Sequence, residues 1–366
     1  MSTSTRCADR PILRSAMALI GATVVRYAAA ILRSAKRRRA EAHLMSLDDR
    51  LLKDIGIGRS EIFAAVYGGS TEQRRGRATN DTAAPSLAYR EAGSGRPVVL
   101  LHSTASTGGQ WKSLTGRLAP LFRVVAPDLP GYGGSKAVGD GGGGLLADAL
   151  PVIALIEMIG APVHLVGHSY GGAVALKIAT SRPELVRSLC VIEPVAFHLL
   201  RDAARGDHAL LDEVAAIESA LRTAIAMGAP EYGMARFIDF WNGDGSWARL
   251  EPEMRSHLCG QIGRVVANFA AIANESSSLT PVRAIDCPTL AIRAERSPAP
   301  ARRIAELLAG AVPGAILANI PGAGHIAPLT HPQWVDPLVA NHIATAESDT
   351  ALGFRRQYGT GLKPAA

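Results

Sequence analysis

Gly167-His168-Ser169-Tyr170-Gly171 follows the apolar run Pro162-Val163-His164-Leu165-Val166 and leads into Gly172 and a stretch of small residues. A short run rich in β-branched residues, a serine between glycines and then small helix formers read as a strand, a sharp turn and a helix. A serine on so tight a turn needs small neighbours two positions before and after it, because the backbone is strained and closely packed there. Gly167, Gly171 and Gly172 meet that need. The turn carries the hydroxyl into the open at a strand's carboxyl end. It also sets the backbone N–H of Tyr170, at a helix N-terminus, where an oxyanion would be stabilised. A motif this short recurs by chance, so its surroundings decide.

Working outward, Pro97-Val98-Val99-Leu100-Leu101 reads as a buried parallel strand running into the loop His102-Ser103-Thr104-Ala105-Ser106-Thr107-Gly108-Gly109. Arg123-Val124-Val125-Ala126-Pro127-Asp128 is another strand, ending in the turn-rich Leu129-Pro130-Gly131-Tyr132-Gly133-Gly134-Ser135. Downstream, Leu189-Cys190-Val191-Ile192 runs to Glu193-Pro194, and Thr289-Leu290-Ala291-Ile292-Arg293 and Ile316 to Ile320 follow, the last before Pro321-Gly322-Ala323-Gly324-His325. Strands alternating with helical stretches predict an α/β fold: a doubly wound, mostly parallel sheet with its chemistry at the strand carboxyl ends.

The ordered motifs H-x-x-x-S, D-L-P-G-Y-G-G-S, G-H-S-Y-G-G and G-A-G-H resemble the α/β-hydrolase superfamily over roughly residues 85 to 345. That resemblance implies a serine, an acid and a histidine in that chain order, and an oxyanion hole of two backbone N–H groups. Carried onto this chain it implies Ser169 as nucleophile, His325 as base, and the N–H of Tyr170 together with that of Ser103 or Thr104 as donors. His102 is expected to hold its loop by a hydrogen bond, Asp128 to organise the turn after its strand, and His164 and His331 to be structural.

The acid departs from the family pattern. Its usual place, after the next-to-last strand, falls in Pro288-Thr289-Leu290-Ala291-Ile292-Arg293-Ala294-Glu295-Arg296-Ser297 on Ser297, which is no carboxylate. Some subfamilies carry the acid after the earlier strand, and that makes Glu193 the first choice. Glu295, two residues short of the usual place, is the second.

Between about 198 and 285 the chain turns mostly helical, with amphipathic stretches at Leu210 to Met227 and Arg255 to Ala273, and this is where a cap would sit. Phe237-Ile238-Asp239-Phe240-Trp241 is its most aromatic segment in a chain that is 5% aromatic, so Phe237, Phe240 and Trp241 are candidate pocket residues. Trp111, shortly after the oxyanion loop, is a further one.

The first 80 residues are of another kind. They hold fifteen Lys and Arg against seven Asp and Glu, while the whole chain carries a net +7, so the remainder is close to neutral. Ala42 to Gly56 places Leu44, Leu47, Leu51 and Ile55 on one helix face and stops at a glycine. The stretch over residues 36–66 resembles the small Arg-rich YjiS-like proteins of bacteria. That resemblance and the basic charge imply RNA, or an anionic membrane surface, as a partner.

Residues 1–67 are thus expected to form a basic helical segment, 68–84 a linker, 85–345 the hydrolase domain and 346–366 a tail. The apolar run Ala16 to Val25, broken by Arg26, is too short and too charged to span a bilayer. Four cysteines without paired spacing indicate neither a disulfide framework nor a metal site, and the cytoplasm is the expected location. Neither G-x-G-x-x-G nor a Walker-type loop is present, so no cofactor is implied.

The reading as a whole is a cofactor-independent serine hydrolase of the esterase type, acting on a small-molecule ester or other activated acyl bond. The competing reading is a catalytically weak member of the fold that works as a regulatory or RNA-binding protein through its basic segment. Deleting residues 1–80 is expected to leave ester turnover nearly intact and to lower affinity for RNA or anionic vesicles. Gel-shift and vesicle-sedimentation assays beside turnover check this.

Overall fold

The computed structural model describes residues 87–138, 144–160, 162–202 and 207–358, with side chains to residue 348. The basic segment, the linker and residues 359–366 lie outside the described residues. Seven strands form one sheet: β1 (Tyr89–Ala92), β2 (Arg96–Leu101), β3 (Phe122–Pro127), β4 (Val163–His168), β5 (Val186–Ile192), β6 (Thr289–Ala294) and β7 (Ile316–Ile320). Their spatial order is β1-β3-β2-β4-β5-β6-β7. Only β1 runs antiparallel, pairing Tyr89 with Pro127 on β3. The other pairings are parallel. The α/β fold with a mostly parallel sheet is therefore as the sequence predicts. β1 escapes a sequence reading because its four residues lie at an edge, three of them exposed, with no apolar run.

Alternate residues of the inner strands feed two cores, as strand geometry requires. Val99, Leu101, Leu165, Leu189 and Val191 face the helices Gly144–Ile159, Tyr170–Ser181 and Ala299–Ala311. Val98, Leu100, Val166, Cys190 and Ile192 face the helices Lys112–Leu118 and Pro332–Tyr358. Covered on both faces, β4 has six buried residues in a row, and so its sequence reads as a continuous apolar run rather than an alternation.

The boundary expected at residue 345 is corrected. The last helix runs Pro332–Tyr358, and its stripe Val335, Val339, Ile343 and Ala346 lies buried on the sheet. Burying side chains of this size contributes about 1.5–3 kcal/mol each for the larger ones, so the stripe is a structural element rather than a tail. Glu347 continues it with ion pairs to Arg96 and Arg187 and a contact to His164. The polar run Glu347-Ser348-Asp349-Thr350 conceals this continuation in the sequence.

Between β5 and β6 the chain leaves the sheet for the expected helical cap. Its helices are His208–Ala226, Pro230–Asn242, Pro252–Gly260, Ile262–Ala273 and the short Leu279–Arg283. The amphipathic stretch Arg255 to Ala273 falls in two helices, divided after Gly260.

Candidate active site

Ser169 sits at the junction of β4 and the helix Tyr170–Ser181 with φ 54° and ψ −117°. A non-glycine residue held there stores strain of about 1–3 kcal/mol. The surrounding backbone enforces it. The Ser169 N–H donates to the Ile192 carbonyl at 2.9 Å, and its own carbonyl accepts from Ala173 and Val195. A Cβ on Gly167 would lie 2.3 Å from the Gly171 carbonyl oxygen, and one on Gly171 would lie 2.4 Å from that of Leu101. The glycines anticipated around this serine are therefore set by close backbone approach.

The Ser169 Oγ lies 2.9 Å from His325 Nε2, and His325 Nδ1 lies 3.1 Å from Glu193 Oε2. All three residues are buried. Glu193 also has positive φ, at 48°, and its N–H donates to the Ile292 carbonyl at 2.8 Å. Its other oxygen, Oε1, accepts from the Ala294 N–H at 2.6 Å. Glu295 does not approach His325's ring. It is exposed, and its Oε2 accepts from the Gly322 N–H at 2.7 Å, bracing the turn before the histidine. The nearby Arg293 pairs with Glu306 instead. Ser297, at the family's usual acid position, is buried with its hydroxyl unpartnered among the described residues.

Behind this line runs a second chain of hydrogen bonds that the sequence did not reveal. The Ser103 N–H and hydroxyl both donate to Gln110 Oε1, at 3.1 and 2.9 Å. Gln110 Nε2 donates to His168 Nδ1 at 3.0 Å, and His168 Nε2 donates to the His325 carbonyl at 2.8 Å. His102 receives the Leu129 N–H on Nε2 and donates from Nδ1 to the Ser103 carbonyl. It holds the loop, as expected. Asp128 braces the same region, accepting from the N–H groups of Gly108 and Gly134.

Ser103 is accordingly corrected: its N–H and its hydroxyl are both committed to Gln110, which leaves Thr104 as the loop's candidate donor. Thr104 lines the cavity next to Ser169. Tyr170 opens the helix, so its N–H is one of those a helix leaves unpaired within itself.

The cavity in front of Ser169 is narrow and is walled by Thr104, Phe197, Phe237, Trp241, Asn268 and Phe269 among others. Trp241 stacks on the His325 ring at 4.0 Å between centroids and 26° between planes, and Phe197 stacks on Trp241 at 6.2 Å. Phe237 and Trp241 thus reach the site. Phe240 does not line the cavity; it packs edge-on against Trp241 at 4.9 Å. Trp111 lies in the core on the opposite face of the sheet, edge-on to His168. Direction explains both errors, since neighbouring positions on a helix point to different sides and Trp111 follows a turn that faces away from the cap.

Residues 98–337 match the alpha/beta hydrolase family, and the chain belongs to that family. Residues 28–62 match the YjiS-like domain. A pimeloyl-[acyl-carrier protein] methyl ester esterase of Aeromonas hydrophila is 33% identical over 119 residues, covering 32% of this chain and 45% of the relative. An uncharacterized protein of Mycobacterium tuberculosis is 33% identical over 135 residues, 33% of this chain and 39% of that one. The chain thus spans less than half the length of these curated relatives. Among solved structures, a thermophilic esterase from Thermogutta terrifontis aligns with a TM-score of 0.58 at 23% identity, over 71% of this chain and 93% of the other, and shares the fold.

Burial lowers the His102 pKa to about 4. Burial, and then the charge of neighbouring His325, lowers that of His168 to about 3. An unfolded chain protonates such residues near pH 6.5, whereas the folded protein keeps them neutral until far lower pH. Their contribution to stability is therefore complete above about pH 6.5 and is lost as pH falls toward 4 and 3. Replacing His168→Gln is expected to flatten this acid dependence by about one proton, measured as urea midpoint against pH. An unchanged slope would mean that His168 titrates freely in the fold.

Proposed function

We propose that the chain is a cofactor-independent serine hydrolase that cleaves a carboxylic ester or other activated acyl bond through an acyl-enzyme. What supports this is the unbroken hydrogen-bond line from Ser169 through both ring nitrogens of His325 to a carboxylate with both oxygens engaged. In this mechanism Ser169 Oγ attacks the carbonyl carbon while His325 Nε2 takes its proton. Glu193 accepts from Nδ1–H, holds the reactive tautomer and stabilises the imidazolium. The carbonyl electron pair moves onto oxygen, where the N–H groups of Thr104 and Tyr170 receive it. Collapse of the intermediate expels the alcohol, which takes the proton from His325. Water then repeats the sequence, releasing the acid and free Ser169.

The matched esterase acts, by its name, on a methyl ester of an acyl chain, and such esters fall within this substrate class. A recess of about 240 Å³ adjoins the nucleophile cavity, sharing Phe197, Phe269 and Ile272 with it, and gives an acyl chain room to extend. Cys190, Cys259 and Cys287 are free thiols, in keeping with the cytoplasm as the place of action. The basic segment at residues 1–67, within which the YjiS-like match at 28–62 falls, is proposed to meet RNA or an anionic membrane surface, alongside the hydrolase and not in place of it.

Ser169→Ala is expected to lower hydrolysis of short p-nitrophenyl esters by about 10⁴-fold or more and to abolish fluorophosphonate labelling, because nucleophile and base act as one unit. An active variant would end the serine mechanism.

Glu193→Gln is expected to lower turnover by about 10²- to 10⁴-fold through loss of the orienting carboxylate. Glu295→Gln should change it little. A large loss in the second variant alone would reverse the assignment of the acid.

A further inference from the structure

Asn268 belongs to the cap helix Ile262–Ala273, is 1% exposed, and lines the same cavity as Ser169 and Thr104. Its Oδ1 accepts from the Thr104 hydroxyl at 3.2 Å and from the Tyr132 hydroxyl. The direction of the second bond is fixed locally. Tyr132 is itself buried, which pushes its phenol pKa up and keeps the proton in place, and the Ala105 N–H faces its oxygen. The phenol therefore donates to the amide oxygen, and the amide nitrogen is turned away from the loop. Among the described residues that nitrogen, Nδ2, is buried and has no partner.

An amide donor kept from water without a partner forfeits its hydration, and a leucine of similar shape would fill the position without that loss. The donor is thus unexplained by packing and by the contact to the loop, both of which use other atoms. The remaining occupant of the cavity is the substrate. We propose that Asn268 Nδ2–H reads an acceptor oxygen on the acyl group, a keto, ether or ring oxygen near the scissile carbonyl. The site then selects oxygen-bearing acyl esters over plain hydrocarbon ones of equal length. This rests on the serine hydrolase reading and adds a substrate class to it.

The test compares p-nitrophenyl methoxyacetate with p-nitrophenyl butyrate, which have the same number of acyl chain atoms and differ by one oxygen for one methylene. Each kcat/KM is divided by the ester's rate with hydroxide, to remove intrinsic reactivity. The full-length protein is expected to favour methoxyacetate by about tenfold after this correction, the scale of discrimination by one buried hydrogen bond. Two variants follow. Asn268→Asp keeps an acceptor for Thr104 and Tyr132 and removes the N–H₂ donor, and Asn268→Leu removes both. The ratio is expected to fall to near one in both. A full-length protein without preference, or an Asn268→Asp variant that keeps the wild-type ratio, would overturn the proposal and leave Asn268 as a tie between cap and loop. Protein that neither hydrolyses these esters nor takes up a fluorophosphonate would overturn the serine reading, and this proposal with it.

Discussion

A carboxylate removed from water must have its lone pairs claimed, because an unpaired buried charge costs several kcal/mol. Glu193 meets that demand across three parts of the sheet. It ends β5, takes the Ala294 N–H from the end of β6, and takes the ring of His325 from the loop after β7. The positions of these parts are therefore interdependent. Removing the histidine leaves a lone pair open, and displacing β6 leaves another. The family's more usual acid position is here a buried serine whose hydroxyl has no partner among the described residues, and the carboxylate that meets His325 comes from the neighbouring strand.

His325 is located from more than one side. Glu193 fixes its ring from below, Trp241 covers the ring's face from the cap, and His168 holds its main-chain carbonyl. The last of these passes through Gln110 to the Ser103 N–H. The loop that carries Thr104 and the loop that carries His325 are thus connected through two neutral side chains in the core. A charged histidine at 168 would break the pattern, since Nδ1 must accept and Nε2 must donate.

Much of this was legible in the chain. Ser169 and His325 stand in glycine-rich turns whose backbone demands are local, so their sequence neighbourhood records them. Glu193 was readable because a carboxylate followed by proline ends a buried strand, and Glu295 was less so because an exposed turn contact to Gly322 leaves no local trace. Gln110 and Asn268 could not be picked out. Their partners lie 58 and 164 residues away, and nothing in their neighbours' composition marks a long-range hydrogen bond. Trp111 and Phe240 fail for a related reason: composition says that an aromatic is present, whereas its direction depends on packing. The last helix was cut short because its polar residues face out while Ile343 and Ala346 hold the other side.

The register of the sheet has a consequence for how this site tolerates change. His168 pairs with Ile192, and Ile192 with Ile292. The residue after each strand then hooks onto the next strand's carbonyl: Ser169 onto Ile192, Glu193 onto Ile292, Glu295 onto Ile320. Ser169 and Glu193 occupy successive steps of one staircase, and their separation is a lattice spacing of the sheet. The entire cap is inserted between Glu193 and Thr289, between one step of that staircase and the next. Its length and composition are thereby free to drift while the distance between Ser169 and Glu193 stays constant.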